Sequence, residues 1–214
     1  MERVTIEQAK NIFGKNFIGP NELNFLFSKL NLGDISSIPI PEINYSIAEL
    51  EKYSHEYILI LGLSEVNGFS LSIRTFRDIL GMDPVAFEPC FYNQDWYLKE
   101  SFIDKTLENR WYLLKRKVLE DSRAIQPDLL LKHSVVFPSA ILCTYTFFAY
   151  YIIFNELLWR YDFIWCSDVD HNGDRIYVGR YHDIDGMNKN GFSIHRHLAL
   201  RNCYCAIQTK SYLI

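Results

Sequence analysis

Apolar and polar positions along this chain fall into blocks, each with its own period. Between Thr5 and Gly14, Ile6, Ala9, Ile12 and Phe13 recur at helical spacing, and Thr5-Ile6-Glu7-Gln8 has the spacing of a capping box. After Gly19-Pro20-Asn21, a second stripe of Leu23, Leu26, Phe27 and Leu30 runs to Gly33. The pattern predicts a small helical N-terminal part, residues 1–35, in which two helices joined by a tight turn dock on a larger α+β domain, residues 36–214. A helix-turn-helix is the alternative for this pair, and its few basic residues weigh against it.

Ile38-Pro39-Ile40-Pro41 predicts an extended connector, because each proline pushes its predecessor out of the helical region. Ser46 with Glu49 opens a short helix. Tyr57 to Leu61 is a continuous β-favouring run, as in a strand covered on both faces. Asn67-Gly68 marks a turn, and Ile73, Phe76, Ile79 and Leu80 return to helical spacing up to Gly81. Asp83 to Trp96, with two prolines and several aromatics, predicts an irregular packed loop. Arg110 to Val118 predicts a strand, whose Lys115, Arg116 and Lys117 suit a solvated edge. Asp128 to Lys132 predicts a short helical piece.

From Ser134 to Asn155 no charge interrupts an apolar run that, as a helix, would span roughly 33 Å, enough to cross a bilayer. Two features favour a long central helix buried in protein instead. Pro138 suits a first helical position, so the helix is expected from there to Trp159, with a shorter fully apolar part. Ser139, Thr146 and Tyr150 share one face, and protein supplies hydrogen-bond partners that lipid lacks. The period then drops to two: Phe163 and Trp165 share one strand face, Ile164 and Cys166 the other. Asp170-His171-Asn172-Gly173-Asp174 predicts a hairpin with a type I′ turn, returning from Arg175 to Tyr181. A polar stretch at 182–201 precedes a final strand, Cys203 to Thr209. The whole is a mostly antiparallel sheet around a buried helix.

Composition narrows the classes. Of 214 residues, 49% are hydrophobic and 22% charged, which fits a folded chain without a long disordered tail. A net charge of −4 gives no electrostatic reason to expect nucleic acid. Five scattered cysteines argue for reduced thiols, and the first residues lack the basic start and apolar core of a signal peptide, so the expected location is cytoplasmic, without a membrane span.

Candidate chemistry is concentrated late in the chain. Asp168, Asp170, Asn172 and Asp174, with Gly173, reproduce the first half of a calcium loop, but Gly179 stands where its bidentate acid belongs. A plain hairpin turn with solvated acids is the competing reading, and calcium is the one cofactor the pattern admits. His195 and His197 have a spacing that zinc sites use, with His182 and Asp183 as further donors, which outlines a metal-dependent enzyme as an alternative. Cys203 and Cys205 read as small buried hydrophobes. A cysteine nucleophile with a histidine base has no support from spacing. Phosphate-loop, dinucleotide and nucleophile-elbow motifs do not occur.

Phe137-Pro138-Ser139-Ala140, Leu157-Leu158-Trp159, Phe163 to Asp168, Gly173 to Tyr181 and Asp185-Gly186-Met187 together form a recognisable pattern. Over roughly half the chain it resembles uncharacterised bacterial proteins with a C-type-lectin-like C-terminal region, related to target proteins of diversity-generating retroelements. The resemblance implies a C-type-lectin-like C-terminal half and a binding role, with Asn188 to Arg201 as the ligand-facing loop, and it implies no catalytic residue. The expected function is therefore a ligand-binding or protein-interaction module. Its contacts to a protein or small polar ligand would come from Asn188, Lys189, Asn190, Phe192, His195, Arg196, His197 and Arg201.

Overall fold

Local capping signals set the helix starts. The computed structural model describes residues 3–182, 190–196 and 200–210. Thr5 and Gln8 form the reciprocal capping box of α1 (Ile6–Phe13). The chain then makes a short strand, β1 (Phe17–Ile18), before α2 (Pro20–Lys29), which has proline in its first turn. The two N-terminal helices are thus not joined by a tight turn. β1 pairs in parallel with β2 (Tyr57–Gly62), and Leu23, Leu26 and Phe27 are fully buried in the main core, so this part is sewn into the body.

Ser46 and Glu49 cap α3 (Ile47–Tyr53). β3 (Glu65–Val66) and β4 (Phe69–Ser70) form a small hairpin in which Asn67 and Gly68 both take positive φ, as a type I′ turn requires. α4 (Ile73–Leu80) follows, then the irregular loop and two short 3-10 turns at Trp96–Lys99 and Ser101–Asp104. β5 (Arg110–Lys115) pairs antiparallel with β2 along its whole length. It ends before Arg116, whose backbone carbonyl accepts from the Trp159 indole.

After α5 (Pro127–Lys132) comes the central helix, α6 (Ala140–Phe154). It is shorter at both ends than the span from Pro138 to Trp159. Ser139, not Pro138, is the cap, accepting from the Leu142 N–H at 3.2 Å. Asn155 adopts the left-handed conformation at φ 54° and ends the helix. Every residue from Ala140 to Tyr150 is buried. Its polar groups mostly find partners: Thr144 donates to Ala140 O, Tyr145 to Leu61 O on β2, and Tyr150 to Asn16, while the Thr146 hydroxyl has none among the described residues. Among the described residues no helix is long and apolar enough to cross a membrane.

β6 (Phe163–Val169) and β7 (Arg175–Gly179) form the hairpin, and β8 (Ser193–His195) adds to β7. The hairpin turn is not type I′. Gly173 has positive φ and Asn172 does not, and Gly173 N–H donates to Asp170 O at 3.0 Å. This is a three-residue connection with its left-handed position at Gly173. The expected final strand is also split. β9 (Tyr204–Cys205) pairs in parallel with β6, while β10 (Thr209–Lys210) pairs antiparallel with β5. One short segment thereby joins two four-stranded sheets, ordered β1-β2-β5-β10 and β8-β7-β6-β9.

The strand faces divide as their period predicts. Ile164 and Cys166 enter the main core with α6, whereas Phe163 and Trp165 build a second cluster with Leu130, Phe137, Tyr177 and Tyr204. The architecture is α+β with mostly antiparallel pairing around a buried helix.

Candidate functional site

The hairpin turn, the loop before β5 and the end of β8 meet at one rim. The loop segment from Cys90 to Trp96 runs beside β8: Phe192 N–H donates to Cys90 O at 2.9 Å, Tyr92 N–H to Phe192 O at 3.0 Å, and the Trp96 indole to Ile194 O at 2.9 Å. Glycine is required at 191, where φ is 155° and a Cβ would lie 2.5 Å from Tyr92 N. This docking brings Trp96 and Glu100 beside the hairpin turn.

At the centre stands Arg196, directly after β8. Its Nη1 donates to Asp170 Oδ2 at 2.9 Å and lies 3.7 Å from Glu100 Oε1, and its guanidinium stacks 4.7 Å from the Trp96 ring centroid. Glu100 is buried, and it holds His171 twice, through the backbone N–H at 3.0 Å and Nδ1 at 2.6 Å. The Asp170 side chain is fully buried. Burial pushes its pKa up, but N–H donors from Asp174 and Asn172, with Arg196, outweigh that and hold it below the usual carboxylate value. The His171 side chain is exposed, and His195 is half-buried beside Gln94 at 3.1 Å. The rim therefore presents an aromatic ring, a braced guanidinium and the His171 imidazole, with two buried carboxylates behind them, while the His195 ring stacks on Tyr177 at 5.7 Å.

The four expected calcium donors do not converge. Asp168 faces the central helix, accepting from Ala140 N–H at 2.7 Å and from Lys105 at 2.8 Å. One oxygen is thereby taken up at the start of α6 and the other by Lys105. Asp170 uses one oxygen on the turn amides of Asn172 and Asp174, and Asn172 and Asp174 themselves are exposed. Among the described residues one group brings three metal-ligating side chains within 4.8 Å of one another: Glu100, Asp170 and His171.

Of the histidine constellation only His182 and His195 are among the described residues, and they have different partners. His182 belongs to a separate chain, with Nδ1 2.5 Å from Asn190 Oδ1, and Asn190 Nδ2 donating to Glu88 at 3.1 Å. Neither His182 nor His195 joins a group of metal donors among the described residues. Cys90, the cysteine nearest this chain, turns its sulfur to Asn190 O and the Tyr181 hydroxyl, and burial pushes its thiol up to about 11, so it stays protonated. All five cysteines are free thiols.

Of the eight expected contact residues, Phe192 is in the core, fully buried against Phe91, Phe147 and Phe148, and cannot touch a ligand there. Phe192 and Ile194 share one strand face, which points into the main core. Arg201 is exposed, and Asn190, His195 and Arg196 are partly exposed. Asn188, Lys189 and His197 lie outside the described residues, as do Asp183 and Asp185. Glu100, Trp96 and Gln94 were not foreseeable from the pattern. They lie ~100 positions upstream of β8, and nothing in local spacing signals that pairing.

No known protein family matches the chain, nor does any curated protein or solved structure.

Proposed function

We propose that this chain is a binding module that recognises a protein or small polar ligand at the rim around Arg196. The observation that carries the reading is the stacked Arg196–Trp96 pair, braced by Asp170 and Glu100 and only partly exposed. Ordered aromatic and arginine side chains are the usual anchors of interfaces, because little conformational freedom is lost when they bind. Arg196 itself comes from the polar stretch at 182–201. The likeness to C-type-lectin-like proteins belongs to the same reading and rests on the motif residues between Phe137 and Met187.

The test is affinity for a fixed panel of acidic, basic and neutral peptides and of neutral and anionic oligosaccharides. At least one panel class should bind the wild-type protein, and His171→Ala and Arg196→Lys should each weaken it by about tenfold or more while Tm changes little. Binding that ignores both substitutions, or a panel without a binder, overturns the reading.

A second reading is favoured by the convergence of Glu100, Asp170 and His171: a divalent-cation site, on which a metal-dependent enzyme would depend. Arg196 already supplies a positive charge there, so an ion has to displace it. Calorimetric titration with Zn2+ and Ca2+ decides. Uptake that Glu100→Gln abolishes and Arg196→Ala strengthens supports the site, and no heat of binding removes it.

A further inference from the structure

The smaller hydrophobic cluster, built around Trp165, Tyr177 and Tyr204, keeps an open side. Leu119, Ile125 and Val135 pack on it as an outer layer and stay only partly buried. With Leu129 and Leu130 of α5 they line a cavity of about 520 Å³, and no residue of the Arg196 rim takes part. That volume falls within the range of small-molecule sites. Leu129 is 47% exposed, so apolar surface is left in water that a ligand of matching character would remove.

The walls are fixed by backbone bonds. Leu119 N–H donates to Ala206 O at 2.8 Å, Ala124 N–H to Tyr204 O at 3.0 Å, and Val135 N–H to Leu130 O at 3.2 Å. Ser122 ends a 3-10 turn, Glu120–Ser122, and its hydroxyl is already engaged, donating to Leu119 O and accepting from Ala206 N–H at 2.8 Å. A cavity held in this way needs little reordering when a ligand enters. Its charge is one-sided. Asp121 is the only carboxylate in the lining, and no lysine or arginine joins it. Glu120 beside it is bound to Arg123 at 2.5 Å, and Arg123 also holds Asp162 at 2.7 Å. The Asp121 side chain is exposed and has no ion pair or hydrogen bond among the described residues. His133 follows Leu129 at i+4 and completes the wall.

We infer that this cavity binds a small primary amine on a hydrocarbon body, with the hydrocarbon against Leu119, Ile125, Leu129 and Val135 and the ammonium group on Asp121. The hydrocarbon supplies most of the affinity, and the carboxylate selects a cation over an alcohol or an anion of the same length.

Hexylamine, butylamine, hexanol and hexanoate are suitable probes, followed by amide chemical shifts of the full-length protein. Hexylamine should bind with Kd on the order of 1 mM and shift Leu119, Asp121, Leu129 and Val135. It should bind about tenfold more tightly than butylamine, because two more methylenes are buried. Hexanol should bind about two- to fivefold more weakly than hexylamine, the modest worth of an exposed ion pair, and hexanoate more weakly still. Asp121→Asn should erase the preference for amine over alcohol, and Leu129→Asn, at an exposed position, should weaken every probe. Shifts elsewhere, indifference to chain length, hexanoate binding as tightly as hexylamine, an amine preference that survives Asp121→Asn, or an unchanged affinity in Leu129→Asn overturns the proposal. If Leu129→Asn does not fold, chain length and Asp121→Asn decide, and indifference to either overturns it.

Discussion

Asp168 and Asp170 stand two positions apart on one strand and do different work. Asp168 closes the start of the central helix, so Asp168→Ala leaves the Ala140 N–H and the Lys105 ammonium without their partner. That should cost about 2 kcal/mol, read as a lower urea midpoint at unchanged slope. Asp170 braces Arg196, and its pKa is held below the ordinary 3.8. A depressed carboxylate contributes stability that is present above its unfolded value and is lost as pH falls through the folded one. Stability should therefore drop below about pH 4, and Asp170→Asn should flatten that part of the profile. Phe192 carries the opposite lesson to its sequence context. Within a polar stretch it looks like a contact residue, yet Phe192→Ala should cost about 3–5 kcal/mol by emptying core volume, with binding lost only because the fold is. A Phe192→Ala protein with unchanged Tm would contradict that placement.

At the scale of elements, what was legible in the sequence were features written in short-range spacing: the capping boxes at Thr5 and Ser46, the β2 run, the faces of β6, and α6 itself. The type of each element followed from its period. What was not legible depended on partners far along the chain. The final strand reads as one continuous run, yet Tyr204–Cys205 serves β6 and Thr209–Lys210 serves β5, because two sheets compete for it. The hairpin turn kept its glycine but changed its type, since Asp170 was already engaged with the amides that follow it. The rim likewise needs the loop from Cys90 to Trp96 to lie against β8. Gly191→Ala tests that contact: a Cβ there meets Tyr92 backbone, so stability should fall by about 2–4 kcal/mol. The loss should appear with faster amide exchange at Phe192 and Tyr92, and protection unchanged at both amides would show that the docking is not built as described.

For the molecule as a whole, the main core runs without a break from α1 and β1 through α6 to β7 and β8. The N-terminal helices, expected as a docked unit, share that core through Leu23, Leu26 and Phe27. Unfolding by urea should therefore be one transition, with helical signal and tryptophan fluorescence superimposed, and a separate early loss of the first ~35 residues would contradict this. The proposed function puts the ligand at the rim around Arg196, on a hairpin packed against the buried central helix. Amide chemical-shift mapping of the full-length protein against the peptide and oligosaccharide panel tests it most directly. The account predicts perturbations confined to Gln94–Trp96, Asp170–Asn172 and His195–Arg196, with α6 amides unmoved. A panel member that binds yet leaves these positions silent, or a panel that perturbs nothing, would contradict it.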